Sequence, residues 1–296
     1  MVASKFLNPA NDLAFKRVFG SEKNKDILIH FLNDILERSC LIEDVTFLKT
    51  LQDPEIAPLR VSIVDVMCQD QDKNRFIIEM QISHEKGFDR RALYYASRAY
   101  CSQRTKNKKF KDLKDVYFLA ITNFTPFPKK KTWLSRIGFK DLDTNEHDIK
   151  AIQLFFLQLP FFKKTKKDLE KMTLREKWAY FFKYAEETTE EELETLIGKD
   201  AIIKRAYDEL DRFSWSEKEL NNYESIEMKK MADEAVKEAV FEKGHKEGHK
   251  EGHKEGRKEE KLEIARKMLK RERPIEEIIE DTGLTKEEVK SLNGSK

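Results

Sequence analysis

The chain has 296 residues, of which 39% are hydrophobic and 38% are charged. This hydrophobic fraction is enough for a packed core, so the composition excludes a wholly disordered chain. There are 57 Lys and Arg residues against 55 Asp and Glu residues, and a formal net charge of +2 neither requires nor excludes a nucleic-acid partner. The three cysteines are widely spaced, which argues against a disulfide scaffold and a cysteine-based zinc site.

Neither of the usual export or membrane signals is visible in the sequence. The amino-terminal segment lacks the basic stretch and long apolar run of a secretory signal peptide. No segment reaches the roughly 18 successive apolar residues that cross a bilayer. We therefore expect a soluble, cytoplasmic protein that does not contact a membrane.

The first predicted elements are two amphipathic helices. Apolar residues at helical spacing predict helices over residues 12–20 and 27–36. Asn11 or Asp12 can cap the start of the first helix, and Gly20 can end it.

A β-hairpin is predicted next. Residues 59–68 and 76–82 are short apolar runs rich in β-branched residues, as in buried strands. Residues 69–74 between them are polar and form the predicted turn.

A helix and two further strands follow the hairpin. The patterns predict a helix over 90–103 and strands over 116–121 and 152–157. Helices that alternate with strands in this way indicate an α/β fold, in which helices cover the faces of a sheet.

Composition divides the chain into four zones. Residues 1–160 hold most of the β-like runs and form the predicted core domain. Residues 161–243 are strongly charged and helical in pattern, residues 244–258 are a low-complexity linker, and residues 259–296 form a small helical tail.

Two acids interrupt the apolar strands of the predicted hairpin. Asp65 and Glu79 are equally distant from position 72 inside the turn, so a hairpin that is symmetric about this position places them opposite each other. Cross-strand neighbours have Cβ atoms ~4.5–5.5 Å apart. Gln81 lies two residues after Glu79 and therefore points to the same face.

Two unpaired carboxylates at this separation repel each other and are costly to desolvate. A divalent cation removes both costs, and hard oxygen ligands suit Mg²⁺ or Mn²⁺. The pattern alone leaves two alternatives open: one acid pairs with a basic residue, or both acids lie on a solvated edge.

Several short segments together resemble the Rpn family of recombination-promoting nucleases and proposed transposases, within the PD-(D/E)XK nuclease superfamily. These segments are Asn11-Asp12-x-x-Phe15-Lys16-x-x-Phe19-Gly20, Val64-Asp65-Val66, Ile78-Glu79-Met80-Gln81 and Arg91-x-x-x-Tyr95. The similarity runs from about residue 8 to residue 160 or beyond, and the repeat-rich tail is also similar. It implies a restriction-endonuclease-like fold, a central mixed sheet flanked by helices, and divalent-metal-dependent DNA cleavage.

The resemblance also implies roles for the acids. Asp65 and Glu79 would hold the metal, Mg²⁺ or Mn²⁺. Gln81 stands where the motif usually has Lys, and would position the attacking water or hydrogen-bond to a metal ligand. Because Gln supplies neither positive charge nor a general base, two functions stay open: a DNA endonuclease in recombination or mobile-element movement, and a catalytically inactive nuclease fold that binds DNA or a protein.

Two further residues have alternative interpretations. Asp12 is either an additional acid of the site, as related nucleases place one on their first helix, or a helix N-cap. Arg98 on the helix after the hairpin is a candidate phosphate contact, and its neighbours Tyr94 and Tyr95 are predicted to pack mainly in the core.

Basic residues are separated from acidic ones along the chain. Residues 104–114 are basic, whereas 186–194 are acidic. Such segregation suits a protein that binds a phosphate backbone, although a charge run is more often only a solvated face. We expect DNA, bound with weak sequence selectivity, as the partner; the candidate contacts besides Arg98 are Arg104, Lys106, Lys108 and Lys109.

The tail begins with four repeats of Gly-His/Arg-Lys-Glu from Gly244 to Glu259. We expect a partly helical, flexible arm, because glycine lowers helix propensity by ~1 kcal/mol per site. Its histidines recur every four residues and could bind a transition metal. Residues 261–269, 275–279 and 289–292 have helical apolar spacing and predict a small helix-turn-helix-like or dimerisation element, which favours a homo-oligomer.

Overall fold

The computed structural model describes residues 4–52, 62–104, 109–198 and 200–293. The chain divides into two units, Met1–Glu227 and Met228–Lys296. The domain boundaries expected at 160, 243 and 258 stay predictions.

Eight strands are found in the described part of the first unit. Six form a mixed sheet in the order β1-β4-β5-β6-β8-β7, and β2 pairs with β3. Their bounds are β1 Val45–Phe47, β2 Leu51–Gln52, β3 Ser62–Ile63, β4 Val66–Asp70, β5 Arg75–Gln81, β6 Val116–Thr122, β7 Leu134–Ile137 and β8 Ile152–Gln158.

Helices cover both faces of this sheet, and a helical region follows it. The first six are α1 Asp12–Phe19, α2 Lys25–Leu36, α3 Phe88–Cys101, α4 Leu174–Tyr184, α5 Glu190–Ile197 and α6 Ala201–Leu210. The last three are α7 Glu217–Lys270, α8 Ile275–Thr282 and α9 Lys286–Asn293. A mixed six-stranded sheet with flanking helices is consistent with the expected α/β nuclease fold.

The predicted hairpin is confirmed. Strands β4 and β5 are antiparallel, and Val66 pairs with Ile78. The turn is shorter than expected because the carboxylate of Asp70 accepts hydrogen bonds from the backbone N–H groups of Asp72 and Asn74, so β4 continues to Asp70. Arg38 holds the same carboxylate at 2.9 Å.

The strand predicted over 59–68 is not continuous in its described part. It is interrupted at Val64 and Asp65, so that β3 pairs with β2 while β4 pairs with β5. Residues 59–61 lie outside the described residues. The interruption frees Asp65 from the regular ladder.

The centre of the sheet is parallel. Strand β5 pairs with β6 and β6 with β8 in parallel, and α3 provides the crossover from β5 to β6. Strands β1 and β7, which the sequence analysis missed, form the two edges. They have three and four residues, too few for a periodic pattern to identify.

The two faces of β5 pack against different helices. Phe76, Ile78 and Met80 belong to the larger core with helices α1, α2, α4 and α6. Ile77 packs in the core beneath α3, whose buried residues there include Ala92 and other alanines. Side chains alternate along a strand, so Glu79 and Gln81 share the face of Ile77 and lie beneath α3.

The described part of the second unit is helical. Helix α7 continues through the Gly-His-Lys-Glu repeats, so the flexible arm expected there is helical in the structure. Lys and Glu, both good helix formers, separate the glycines. The end of α7 packs with α8 and α9 around Ala265, Ile278, Leu284 and Val289, as the predicted apolar spacing required.

Among the described helices, none combines the length and the hydropathy of a membrane-spanning segment.

Candidate active site

The hairpin brings Asp65 beside Glu79. One step beyond the pair Val66 and Ile78, the register places Asp65 opposite Glu79. Asp65 precedes β4, and its Oδ2 accepts a hydrogen bond of 2.8 Å from the backbone N–H of Met80. The side chain thus continues the pairing where the backbone ladder stops, and this contact fixes its orientation.

Glu79 is buried with an unused acceptor. The residue is 7% exposed, and its Oε2 has no hydrogen-bond partner among the described residues. Burial first, and then the charge of Asp65, raise the pKa of Glu79 to about 8. Burial also raises the pKa of Asp65, although the N–H of Met80 opposes this shift. Two neighbouring carboxylates with little water around them favour a proton or a cation between them.

Helix α1 presents Asp12 to the same site. Asn11 is the N-cap of α1, because its side chain accepts a hydrogen bond from the N–H of Leu13, so the N-cap interpretation of Asp12 is wrong. Asp12 is exposed in the first turn, and its charge raises the pKa values of Asp65 and Glu79. One turn later, the charge of Lys16 lowers the pKa of Asp65.

Both ends of the Gln81 side chain are hydrogen-bonded. Oε1 accepts from Nη2 of Arg91 at 2.8 Å, and Nε2 donates to the carbonyl of Ser83 at 3.2 Å. The same Nη2 lies 3.5 Å from Oε1 of Glu79. The sequence analysis missed Arg91 as a site residue. The signal was its place in the Arg91-x-x-x-Tyr95 segment, seven residues before Arg98.

Three of the predicted DNA contacts, Arg98, Arg104 and Lys109, belong to the described residues. Arg98 lies on α3 with its guanidinium 5.8 Å from the ring of Tyr94. Tyr94 is 48% exposed, so its predicted core packing is wrong. Arg104 is exposed beside the ring of Phe110, and Lys109 is exposed. The other two candidates, Lys106 and Lys108, lie outside the described residues.

The carboxylate pair fits a divalent cation. Over the described residues, no group of three or more His, Cys, Asp or Glu side chains is arranged to hold a metal. Mg²⁺ needs fewer protein ligands than this, because it keeps several waters and is usually bound through one or two carboxylates and substrate phosphates. Asp65 and the unpartnered Oε2 of Glu79 meet that need.

Comparison with known proteins identifies the family of the chain. The model of the PD-(D/E)XK nuclease family transposases matches residues 9–239, which is more than half of the chain and includes every residue of the candidate site. No curated protein and no solved structure shows significant similarity to the chain. The resemblance noted in the sequence is thereby confirmed, and the chain belongs to the PD-(D/E)XK nuclease family transposases.

Proposed function

We propose that the chain is a divalent-metal-dependent DNA endonuclease that hydrolyses phosphodiester bonds, with a role in DNA recombination or mobile-element movement. The observation that carries the proposal is the pair of Asp65 and Glu79, in which a buried carboxylate oxygen of Glu79 has no partner among the described residues. An unpaired buried acid of this kind is costly to the fold, which favours a functional reason for it.

Each residue of the site has a distinct task in this proposal. Asp65 and Glu79 would hold Mg²⁺ or Mn²⁺, which neutralises charge on the phosphate oxygens and lowers the pKa of bound water. The N–H of Met80 keeps Asp65 aimed at the site before the cation arrives. Asp12, in the exposed first turn of α1, adds a third negative charge near the two metal-holding carboxylates.

DNA is the substrate that the family and the charge distribution favour. Arg104 and Lys109 are exposed near the carboxyl end of α3, the helix that covers the site. Contacts from exposed basic side chains to phosphates carry no sequence information, so cleavage is weakly selective. We also propose that α7, α8 and α9 mediate homo-oligomerisation.

Plasmid nicking tests the proposal. Wild type should nick supercoiled DNA in Mg²⁺ or Mn²⁺ but not in EDTA, whereas Asp65→Asn and Glu79→Gln should lose roughly 100-fold or more. The matched control is Asp143→Asn, an exposed acid in the loop after β7 at the far edge of the sheet, which should cut like wild type. Equal nicking by wild type and both active-site variants would contradict the proposal.

The same assay distinguishes the nuclease from the alternative, a catalytically inactive nuclease fold that binds DNA or a protein. The hydrogen-bonded Gln81 in place of Lys is the observation that favours it. Binding of DNA by wild type with no cleavage in Mg²⁺, Mn²⁺, Co²⁺ or Ca²⁺ would select this alternative.

A further inference from the structure

The hydrogen bonds of Gln81 leave it little freedom to act on a water or a phosphate. Its carboxamide oxygen is bonded to Arg91, and its nitrogen is bonded to the carbonyl of Ser83. A carboxamide whose oxygen and nitrogen are both hydrogen-bonded can fix the position of a neighbouring side chain. Its oxygen faces a guanidinium, so the group that Gln81 orients is Arg91.

Arg91 is fixed next to the carboxylates by the path of the chain. Only residues 82–87 separate the end of β5 from the start of α3. Gly87, the N-cap of α3, has φ = 80°, a conformation that glycine adopts without strain. This tight connection places the first turn of α3, which contains Arg91, over the end of β5.

Packing and charge then restrict the guanidinium. It lies 4.9 Å from the ring of Phe88 and 5.9 Å from the ring of Tyr95. Nη1 donates to Glu85, and Nη2 reaches Gln81 and Glu79. The side chain is 25% exposed, and its Nε is buried without a hydrogen-bond partner among the described residues. The fixed guanidinium therefore retains an unused donor.

We propose that Arg91 supplies the positive charge that the Lys of the motif usually provides, by contacting an oxygen of the scissile phosphate, and that Gln81 is a positioning residue for Arg91. The inference rests on the proposed nuclease function. An arginine remains charged at any physiological pH, so it cannot serve as a general base. Its planar donors match phosphate oxygens, and donors aimed at developing charge stabilise the transition state.

Lys16 is the rival source of positive charge. It is exposed on α1 and its charge reaches Asp65. Unlike Arg91, Lys16 forms no hydrogen bond or ion pair with Gln81 or Glu79 in the described part of the chain. The two cations are therefore separable by mutation.

Cleavage by four variants tests the assignment. Arg91→Met should lose roughly 100-fold in kcat, as expected for one lost donor to the transition state. Arg90→Met removes an exposed arginine from the adjacent position of α3 and should cut like wild type. Gln81→Lys combined with Arg91→Met should recover at least tenfold over Arg91→Met alone. A loss in Lys16→Met equal to that in Arg91→Met, or no loss in Arg91→Met, would overturn the proposal.

Non-additivity tests the positioning role of Gln81. Gln81→Met should reduce kcat, and adding it to Arg91→Met should cause no further loss, because Gln81 acts through Arg91. Full additivity of the two losses would overturn this part. If circular dichroism shows that Arg91→Met does not fold, Gln81→Met and Arg91→Lys are tested instead. Both variants should have a reduced kcat. An unchanged kcat in both would overturn the proposal.

DNA binding in Ca²⁺ gives a readout that does not depend on turnover. The slope of log K against log salt for a short duplex should fall by about 1 in Arg91→Met and stay unchanged in Arg90→Met. Equal slopes for wild type and Arg91→Met would overturn the phosphate contact alone. Wild type that neither binds nor cuts DNA would contradict the proposed function itself, and the inference with it.

Discussion

Oδ2 of Asp65 lies 2.8 Å from the backbone nitrogen of Met80 and accepts its hydrogen bond. Met80 follows Glu79 in β5, so this bond ties the first acid of the site to the strand that carries the second. The relative position of the two carboxylates is therefore set by the folded chain. A cation that binds there meets ligands that are already aligned, which lowers the cost of ordering them.

Substitutions of Asp65 should separate its structural role from its chemical one. Asp65→Asn keeps an oxygen that can accept from Met80, whereas Asp65→Ala leaves that N–H without a partner. Both variants should lose cleavage, but Asp65→Ala should be less stable than Asp65→Asn by about 1–3 kcal/mol. Urea unfolding in EDTA measures the difference. Equal stability of the two variants would show that the bond contributes nothing to the fold.

Mn²⁺ binding should depend on Glu79. In full-length protein whose repeat histidines His245, His249 and His253 are replaced by Ala, titration calorimetry should find Mn²⁺ binding that Glu79→Gln weakens at least tenfold. The histidine replacements remove the other candidate metal ligands. Asp143→Asn in the same background should bind as the parent does. Unchanged affinity in Glu79→Gln would remove Glu79 from the metal ligands.

Substitutions of the neighbouring residues Asn11 and Asp12 at the start of α1 should affect different properties, stability in the first case and cleavage in the second. Asn11 caps the helix and also donates to Glu227 at 2.7 Å, so Asn11→Ala should lower the free energy of unfolding by about 2 kcal/mol. Asp12→Asn removes only an exposed charge near the carboxylate pair, and should change stability by less than about 1 kcal/mol while slowing cleavage. Thermal unfolding and plasmid nicking measure the two effects. Loss of stability in Asp12→Asn with unchanged nicking would assign Asp12 a structural role.

His30 should make the stability of the chain depend on pH. Its Nδ1 lies 2.9 Å from Asp34 and its Nε2 lies 3.5 Å from Asp200. The close carboxylate of Asp34 raises the pKa of His30, burial opposes this, and the charges of Asp200 and Asp26 add to the increase.

The sign of this dependence follows from linkage. A histidine whose pKa is raised by folding stabilises the folded state when it is protonated. This contribution is complete at pH values below the pKa of the unfolded chain, about 6.5, and it is lost as pH rises through the pKa of the folded state. Urea unfolding from pH 6 to 8.5 should show stability falling with pH in wild type. The fall should be smaller in His30→Gln and unchanged in His147→Gln, which replaces an exposed histidine. Parallel profiles for wild type and His30→Gln would contradict the prediction.

A chain that ends after Glu242 should keep the nuclease site. The start of α7 is needed, because Tyr223 and Glu227 contact Asn8 and Asn11 beside α1, but the repeats and the last two helices lie beyond this point. We expect unchanged Mn²⁺ affinity and metal-dependent cleavage, with self-association reduced in light scattering. Loss of Mn²⁺ binding on truncation would contradict the division between the site and the C-terminal helices.

The carboxylate pair could be predicted because hairpin geometry is local. A polar turn of known centre fixes which residues face each other, and the observed pair of Val66 and Ile78 has the predicted register. The break at Asp65 could not be predicted. It arises because β3 pairs with β2, and no local sequence pattern predicts this pairing.

Arg91 was missed for a different physical reason. Its contact with Gln81 depends on how α3 docks on the sheet, which is influenced by the buried alanines of α3 and by the conformation of Gly87. Helical spacing predicts a buried face but gives no distance from the neighbouring strand. The same limit explains Tyr94, because its predicted place on the helix did not reveal its exposure.

The helical repeats of α7 have a consequence for how the chain can change in length. Loss or gain of one four-residue unit would shift the following residues by ~6 Å along the helix axis and turn them by only ~40°, since a helix advances 1.5 Å and 100° per residue. An insertion of five residues would turn them by ~140° instead. A change by one four-residue unit would therefore nearly preserve which face of α7 packs in the three-helix cluster around Ala265.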